Sequence, residues 1–228
     1  MKKILRTLVL TSISMLAIAP IVATVPSKAA HAATSAYSTL ATGMSGPLVS
    51  GLQTDLNTLG YYTYPSITGF YGSVTAQSVK DFQFAYGLNA DGIAGPLTQQ
   101  NIDNALVKKD IVADSYQYIG IPYLWGGTTT KGFDCSGFVY YMFNSHGVPI
   151  QRTTSAQMYT WGTPIAQNKL MPGDLVFYSL SQNGQVSHVG IYIGNGQFMS
   201  ALSSKGIYAQ ALNNTYWAPK YIGAKRIF

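Results

Sequence analysis

The chain has 228 residues, 47% of them hydrophobic and only 10% charged, the composition of a folded protein with little disorder. Its formal charge of +6 is misleading, because Lys2, Lys3, Arg6 and Lys28 all precede residue 33; beyond it ten basic residues face eight acidic ones, for +2, too little clustered charge for a nucleic-acid partner. All eight acids are Asp, so glycoside hydrolysis would need an Asp pair alone, and one cysteine with two histidines beyond residue 32 provides no metal-ligand cluster and suggests no cofactor.

The first element is a leader. Residues 1–6 are basic, residues 7–25 are almost wholly apolar, and Ala30 and Ala32 provide the small residues of a peptidase site. A secretory signal peptide over 1–32 is expected, hence a secreted, extracellular or wall-associated protein with no membrane attachment after cleavage. A retained anchor is the competing reading, since the apolar stretch approaches the roughly 20 residues of a spanning helix. No cysteine follows that stretch, which excludes a lipoprotein.

Residues 33–43 are small and polar and read as a tether. Leu48, Leu52, Leu56 and Leu59 then recur at helical spacing, with Pro47 in the first turn and Gly60 at the end. A second helix is expected from Ser73 as cap through Val79, Phe82 and Tyr86 to Gly87, and a third from Pro96 carrying Ile102, Ala105 and Leu106. The stretches before the second and third helices share a Gly-x-x-Gly-x-x-Thr frame, at Gly69, Gly72 and Thr75 and again at Gly92, Gly95 and Thr98.

These features, over residues 44–106, resemble a three-helix peptidoglycan-binding domain. The resemblance rests on Leu52-Gln53, Leu56, Leu59-Gly60-Tyr61, residues 69–75, residues 79–83, Gly87-Leu88, Asp91-Gly92, Gly95 and Thr98. Thr68 stands where that family usually has Asp. The resemblance implies wall binding; without it, a ligand-free structural module would be the plainer reading. Tyr61, Tyr62, Tyr64 and Tyr71 could meet glycan faces or could simply pack.

Residues 107–110 read as a charged linker, and from Ile111 a second domain is expected to begin with a helix over 111–118. Asp134 can cap a helix from Cys135 to about Phe143. After Pro172-Gly173 short β-rich runs follow, at 175–178, 186–193, 197–201, 206–209 and 221–228. Helices first and an antiparallel sheet after is an α+β order.

Cys135 is a solitary thiol in a chain marked for export, where cysteines usually pair. On the first turn of a helix its thiolate would be favoured by the backbone dipole, and free N–H groups would face a developing oxyanion. Gly137 is expected to keep the surface beside it open. His146 ends the same helix, about 16 Å away at 1.5 Å per residue. That leaves His188, on a β-run, as the candidate base.

Residues 111–228 are similar to the NlpC-type cysteine peptidases, a papain-like family of bacterial wall endopeptidases. The similarity is carried by residues 120–127, 133–138, Arg152-Thr153 with Gln157, residues 172–177, residues 188–192 and residues 194–196. It implies a papain-like helix plus antiparallel sheet domain with Cys135 as nucleophile, His188 as base and Tyr123 in the substrate cleft. Asp134 and Ser136 would hold the peptide or merely cap the helix. The bond implied is γ-D-glutamyl to diaminopimelate in wall stem peptides, cut by a monomer without metal. The family's third polar residue falls at Ser200, shorter than the usual side chain; either it orients His188 or another group does. A wall-binding protein with weak or no catalysis is therefore an alternative, and acyl transfer to an amine another.

Overall fold

The computed structural model describes residues 37–228, so the expected signal peptide and the first part of the tether lie outside the described residues. Three helices come first: α1 (Pro47–Thr58), α2 (Ser73–Ala85) and α3 (Pro96–Ser115). Leu52, Leu56, Val79, Phe82, Ile102 and Ala105 bury the faces that helical spacing selects. Tyr62 and Tyr71 belong to this core, at 2% and 0% exposure, so of the expected tyrosine belt they are packing. Ser73 is the first helical residue and not the cap; Gly72 takes that place without a side-chain bond.

The repeated glycine frame has a physical basis in two buried glutamines. Gln53 donates to the Thr68 and Thr75 hydroxyls and the Phe70 carbonyl, and accepts from the Thr68 and Gly69 N–H groups. Gln83 donates to Asp91, Thr98 and the Ile93 carbonyl, and accepts from Gly92. Thr68 and Asp91 thus occupy the same slot. Each also receives a backbone N–H two residues on, from Phe70 at 3.2 Å and Ile93 at 2.8 Å. One hydroxyl does the work of a carboxylate oxygen, which explains how Thr68 is accommodated.

The expected linker over 107–110 is absent. Helix α3 runs straight through it, and the segment expected as a separate helix over 111–118 is its last turns followed by a 3-10 turn at Tyr116–Tyr118. Two lysines and an Asp in sequence look solvated, yet Lys108 is 4% exposed. Its ammonium is 4.0 Å from the fully buried Asp174 and 4.8 Å from the Phe228 ring centroid. Leu106 packs in the first core and Ile111 in the second, so one helix is shared by both.

The second unit opens with a small hairpin, β1 (Thr128–Thr129) and β2 (Gly132–Phe133), then α4 (Cys135–Ser145) and the single turn α5 (Ser155–Met158). A six-stranded antiparallel sheet follows in the order β3-β8-β4-β5-β6-β7, with β3 (Thr163–Ile165), β4 (Leu175–Tyr178), β5 (His188–Gly194), β6 (Gln197–Leu202), β7 (Gly206–Ala211) and β8 (Tyr221–Arg226). The hairpin, α5 and the short edge strand β3 have no counterpart in the sequence reading. Helix α4 packs on β5 and β6, burying Phe138, Val139 and Met142 against Val189, Ile191 and Met199. Alternate residues, Val176, Tyr178 and Phe198, join Trp217 in a second core. This mixed helix and antiparallel sheet is the α+β class expected.

Asp174 joins the two units. Arg226 grips it twice, at 2.9 and 2.8 Å, and the Met171 N–H adds a third bond at 2.9 Å. Burial pulls the Lys108 ammonium down to about 8 despite Asp174. Since the carboxylate is satisfied without Lys108, Lys108→Met is expected to change stability by less than about 1 kcal/mol, whereas Arg226→Leu should cost about 3 kcal/mol. Denaturant unfolding of both variants measures this.

Candidate active site

The cap of α4 positions the thiol. Asp134 is in extended backbone, and its Oδ1 accepts from the Gly137 N–H at 2.6 Å and the Ser136 hydroxyl at 3.1 Å. Its Oδ2 accepts from the Gly126 N–H at 2.9 Å and from Arg152 Nη2 at 2.5 Å. The Arg152 guanidinium also donates to the Ser136 hydroxyl at 2.7 Å. Asp134 is therefore filled by its own chain, and Ser136 is held between two partners. Asp134 caps the helix, Ser136 bonds to that cap, and both line the cleft.

Gly137 has a different purpose from the one expected. A Cβ there would stand 1.9 Å from the Gly127 carbonyl, so glycine lets the 120–127 loop close onto the helix rather than leaving space. That loop is tied down by Leu124 N–H to Phe133 O at 3.0 Å and Gly127 N–H to Leu124 O at 2.9 Å. Tyr123 is thereby set in the cleft wall, within electrostatic reach of Cys135 and Asp134.

His188 begins β5, opposite Tyr178 on β4. Ile191 pairs with Met199, and continuing that register sets Ser200 one same-face step from His188. Gly190 lies between them, and a Cβ on it would strike the Phe198 ring at 2.4 Å. His188 Nε2 and Ser200 Oγ are 3.0 Å apart, both residues buried. That bond engages Nε2 and leaves Nδ1 as the other ring nitrogen. His146 is elsewhere: its Nδ1 lies 2.8 Å from Met142 O and its Nε2 3.7 Å from Asp114.

Cys135, His188, Tyr123, Asp134 and Ser136 all line one open cleft of about 790 Å³. The backbone amides of Val189, Ser136 and Cys135 itself lie where they pull the thiol down. These favour the thiolate, as a helix N-terminus should, but burial outweighs them and the Asp134 charge opposes them, so the thiol is pushed up. The depression expected from the sequence is therefore not present in the free cleft. Burial alone takes His188 down to about 4. Both shifts favour the uncharged forms, neutral thiol and neutral imidazole.

Three residues of the cleft had no role in the sequence reading. Arg152 braces the cap, Trp217 stacks on His188 at 5.1 Å between centroids and 28° between planes, and Gln210 accepts the Trp217 indole N–H at 2.5 Å. Arg152 lies in a stretch the resemblance covers, while Trp217 and Gln210 fall in no motif. Among the described residues no group of three or more His, Cys or acidic side chains is placed to hold a metal.

Residues 120–226 match the NlpC/P60 family, and residues 45–102 match the peptidoglycan binding domain family. The second half of the chain belongs to the NlpC/P60 family. Among similar proteins is the probable peptidoglycan endopeptidase LytE of Bacillus subtilis, 46% identical over 51% of this chain and 33% of that one. The gamma-DL-glutamyl hydrolase of Bacillus subtilis is 36% identical, over 54% of this chain and 30% of that one. Murein DD-endopeptidase MepH of Escherichia coli is 41% identical, over 49% and 42%. This chain thus spans less than half the length of each.

The NlpC/P60 domain should lose stability in acid through His188. Between pH 6.5 and about 4 the unfolded chain binds a proton that folded His188 refuses, so stability falls as pH drops through that window. The slope from this one group approaches about 1.4 kcal/mol per pH unit. Comparing the wild type with His188→Gln by denaturant unfolding at pH 7, 6 and 5 should show the slope reduced in the variant.

Proposed function

We propose that this protein is a secreted, monomeric cysteine endopeptidase that hydrolyses peptidoglycan stem peptides, held on the wall by residues 45–102. The observation that carries the reading is the opening of Cys135 and His188 onto one cleft, with the far nitrogen of His188 already committed to Ser200. His188 takes the thiol proton as sulfur attacks the amide carbonyl. The α4 N-terminal N–H groups stabilise the oxyanion. The C–N bond then breaks, His188 returns the proton to the leaving amine, and water guided by His188 releases the acyl group. Tyr123 borders the peptide, while Asp134 and Ser136 act through the cap.

The bond proposed is γ-D-glutamyl to diaminopimelate, in keeping with the name of the gamma-DL-glutamyl hydrolase among its relatives. MepH carries the name of a DD-endopeptidase, so the products must be identified and not only counted. With purified sacculi, wild type is expected to release fragments ending in γ-D-glutamate. Cys135→Ala should release none yet still pellet with the wall. Products cut between two D-residues would overturn the bond, and undiminished release by the variant would overturn the nucleophile.

The raised thiol and the short Ser200 favour a second reading, a wall-binding protein with weak catalysis. Iodoacetamide kinetics on the free protein should rise with pH and show no plateau between pH 5 and 8, because the resting pair is neutral. The readings part when substrate is added: an enzyme turns over at pH 7, and a binder does not.

A further inference from the structure

Ser200 reaches His188 at a single point. A hydrogen bond at Nε2 restrains one corner of the imidazole but leaves the ring plane open to tilting, and tilting displaces the Nδ1 that must meet the thiol. Ring orientation needs a second restraint. Trp217 lies against His188 with centroids 5.1 Å apart and planes at 28°. A ring turning about its own axis would drive an edge into the indole.

The indole is itself immobilised. Its backbone N–H is bonded to Asn214 Oδ1 at 2.8 Å, and its ring meets Tyr178, Phe198 and Tyr216 edge-on at 4.7, 5.2 and 4.9 Å. Trp217 is 2% exposed. Gln210 spends its Oε1 on the indole N–H, while its own Nε2 is buried with no hydrogen-bond partner among the described residues. An unpaired buried amide is destabilising. Plain core packing would be served by an apolar residue at 210 without that cost.

We propose that Trp217, held by Gln210, is a positioning residue that fixes the plane of His188 where Ser200 alone does not.

This inference rests on the Cys135–His188 reading, and the test separates the two. In the full chain, Trp217→Leu, Trp217→Phe and Gln210→Leu are compared with wild type on a soluble γ-D-glutamyl peptide. The His188 titration is followed by NMR of labelled imidazole. Trp217→Leu is expected to lower kcat about 100-fold with KM within about threefold, the size of effect a misplaced reacting group produces. Its His188 titration should rise from about 4 toward 6.5 as water reaches the exposed face. Trp217→Phe, which keeps an aromatic face, should recover most of kcat. A loss carried by KM, or a Phe variant as poor as the Leu variant, overturns the inference. Should Trp217→Leu not fold, Gln210→Leu decides: kcat must fall with no loss of melting temperature. If wild type hydrolyses nothing, the proposed function fails on its own, and an unchanged His188 titration in Trp217→Leu, or in Gln210→Leu if that variant does not fold, overturns the positioning role independently.

Discussion

The Asp134 carboxylate is the interaction on which the site depends. It starts α4 at the residue that carries the thiol, and its second oxygen reaches out to Gly126 and Arg152. One buried group thus sets the helix, the 120–127 loop that presents Tyr123, and the start of the segment leading to α5. Its charge also weighs against the Cys135 thiolate. The cleft accepts a less reactive resting thiol in exchange for a fixed position, since four donors to one carboxylate leave little freedom to the backbone.

The rest of the sheet positions His188 in a similar manner. Strands β5 and β6 bring His188 and Ser200 together by register, and the face opposite α4 carries Tyr178, Phe198 and Trp217 beneath them. Burial on that side drains His188 of charge. The imidazole is therefore neutral near pH 7, but a value this low also makes it a weak proton acceptor in the free cleft.

Helix α3 turns two small units into one body. Its first half contributes Ile102 to the three-helix core, and its second half contributes Ile111 to the sheet core. Between them Lys108 lies flat against Gly173 and near Asp174, where charge had suggested solvent. The joint is uninterrupted helix, its backbone hydrogen bonds kept within α3.

The amino-acid sequence determined what local physics can determine. Helical spacing marked α1 to α3, Asp134 announced the start of α4, β-branched and aromatic runs marked the strands from β4 onward, and a count of two histidines left His188 beside Cys135. The paired glycine frames were visible, though not the buried Gln53 and Gln83 that explain them. Tertiary structure alone decided the rest. Trp217 reaches His188, and Gln210 reaches Trp217, only because β7 and the turn before β8 return to the cleft, and no local pattern encodes that return. The protonation of the pair was likewise beyond the sequence, because desolvation depends on what the fold lays over each group and not on the residue beside it.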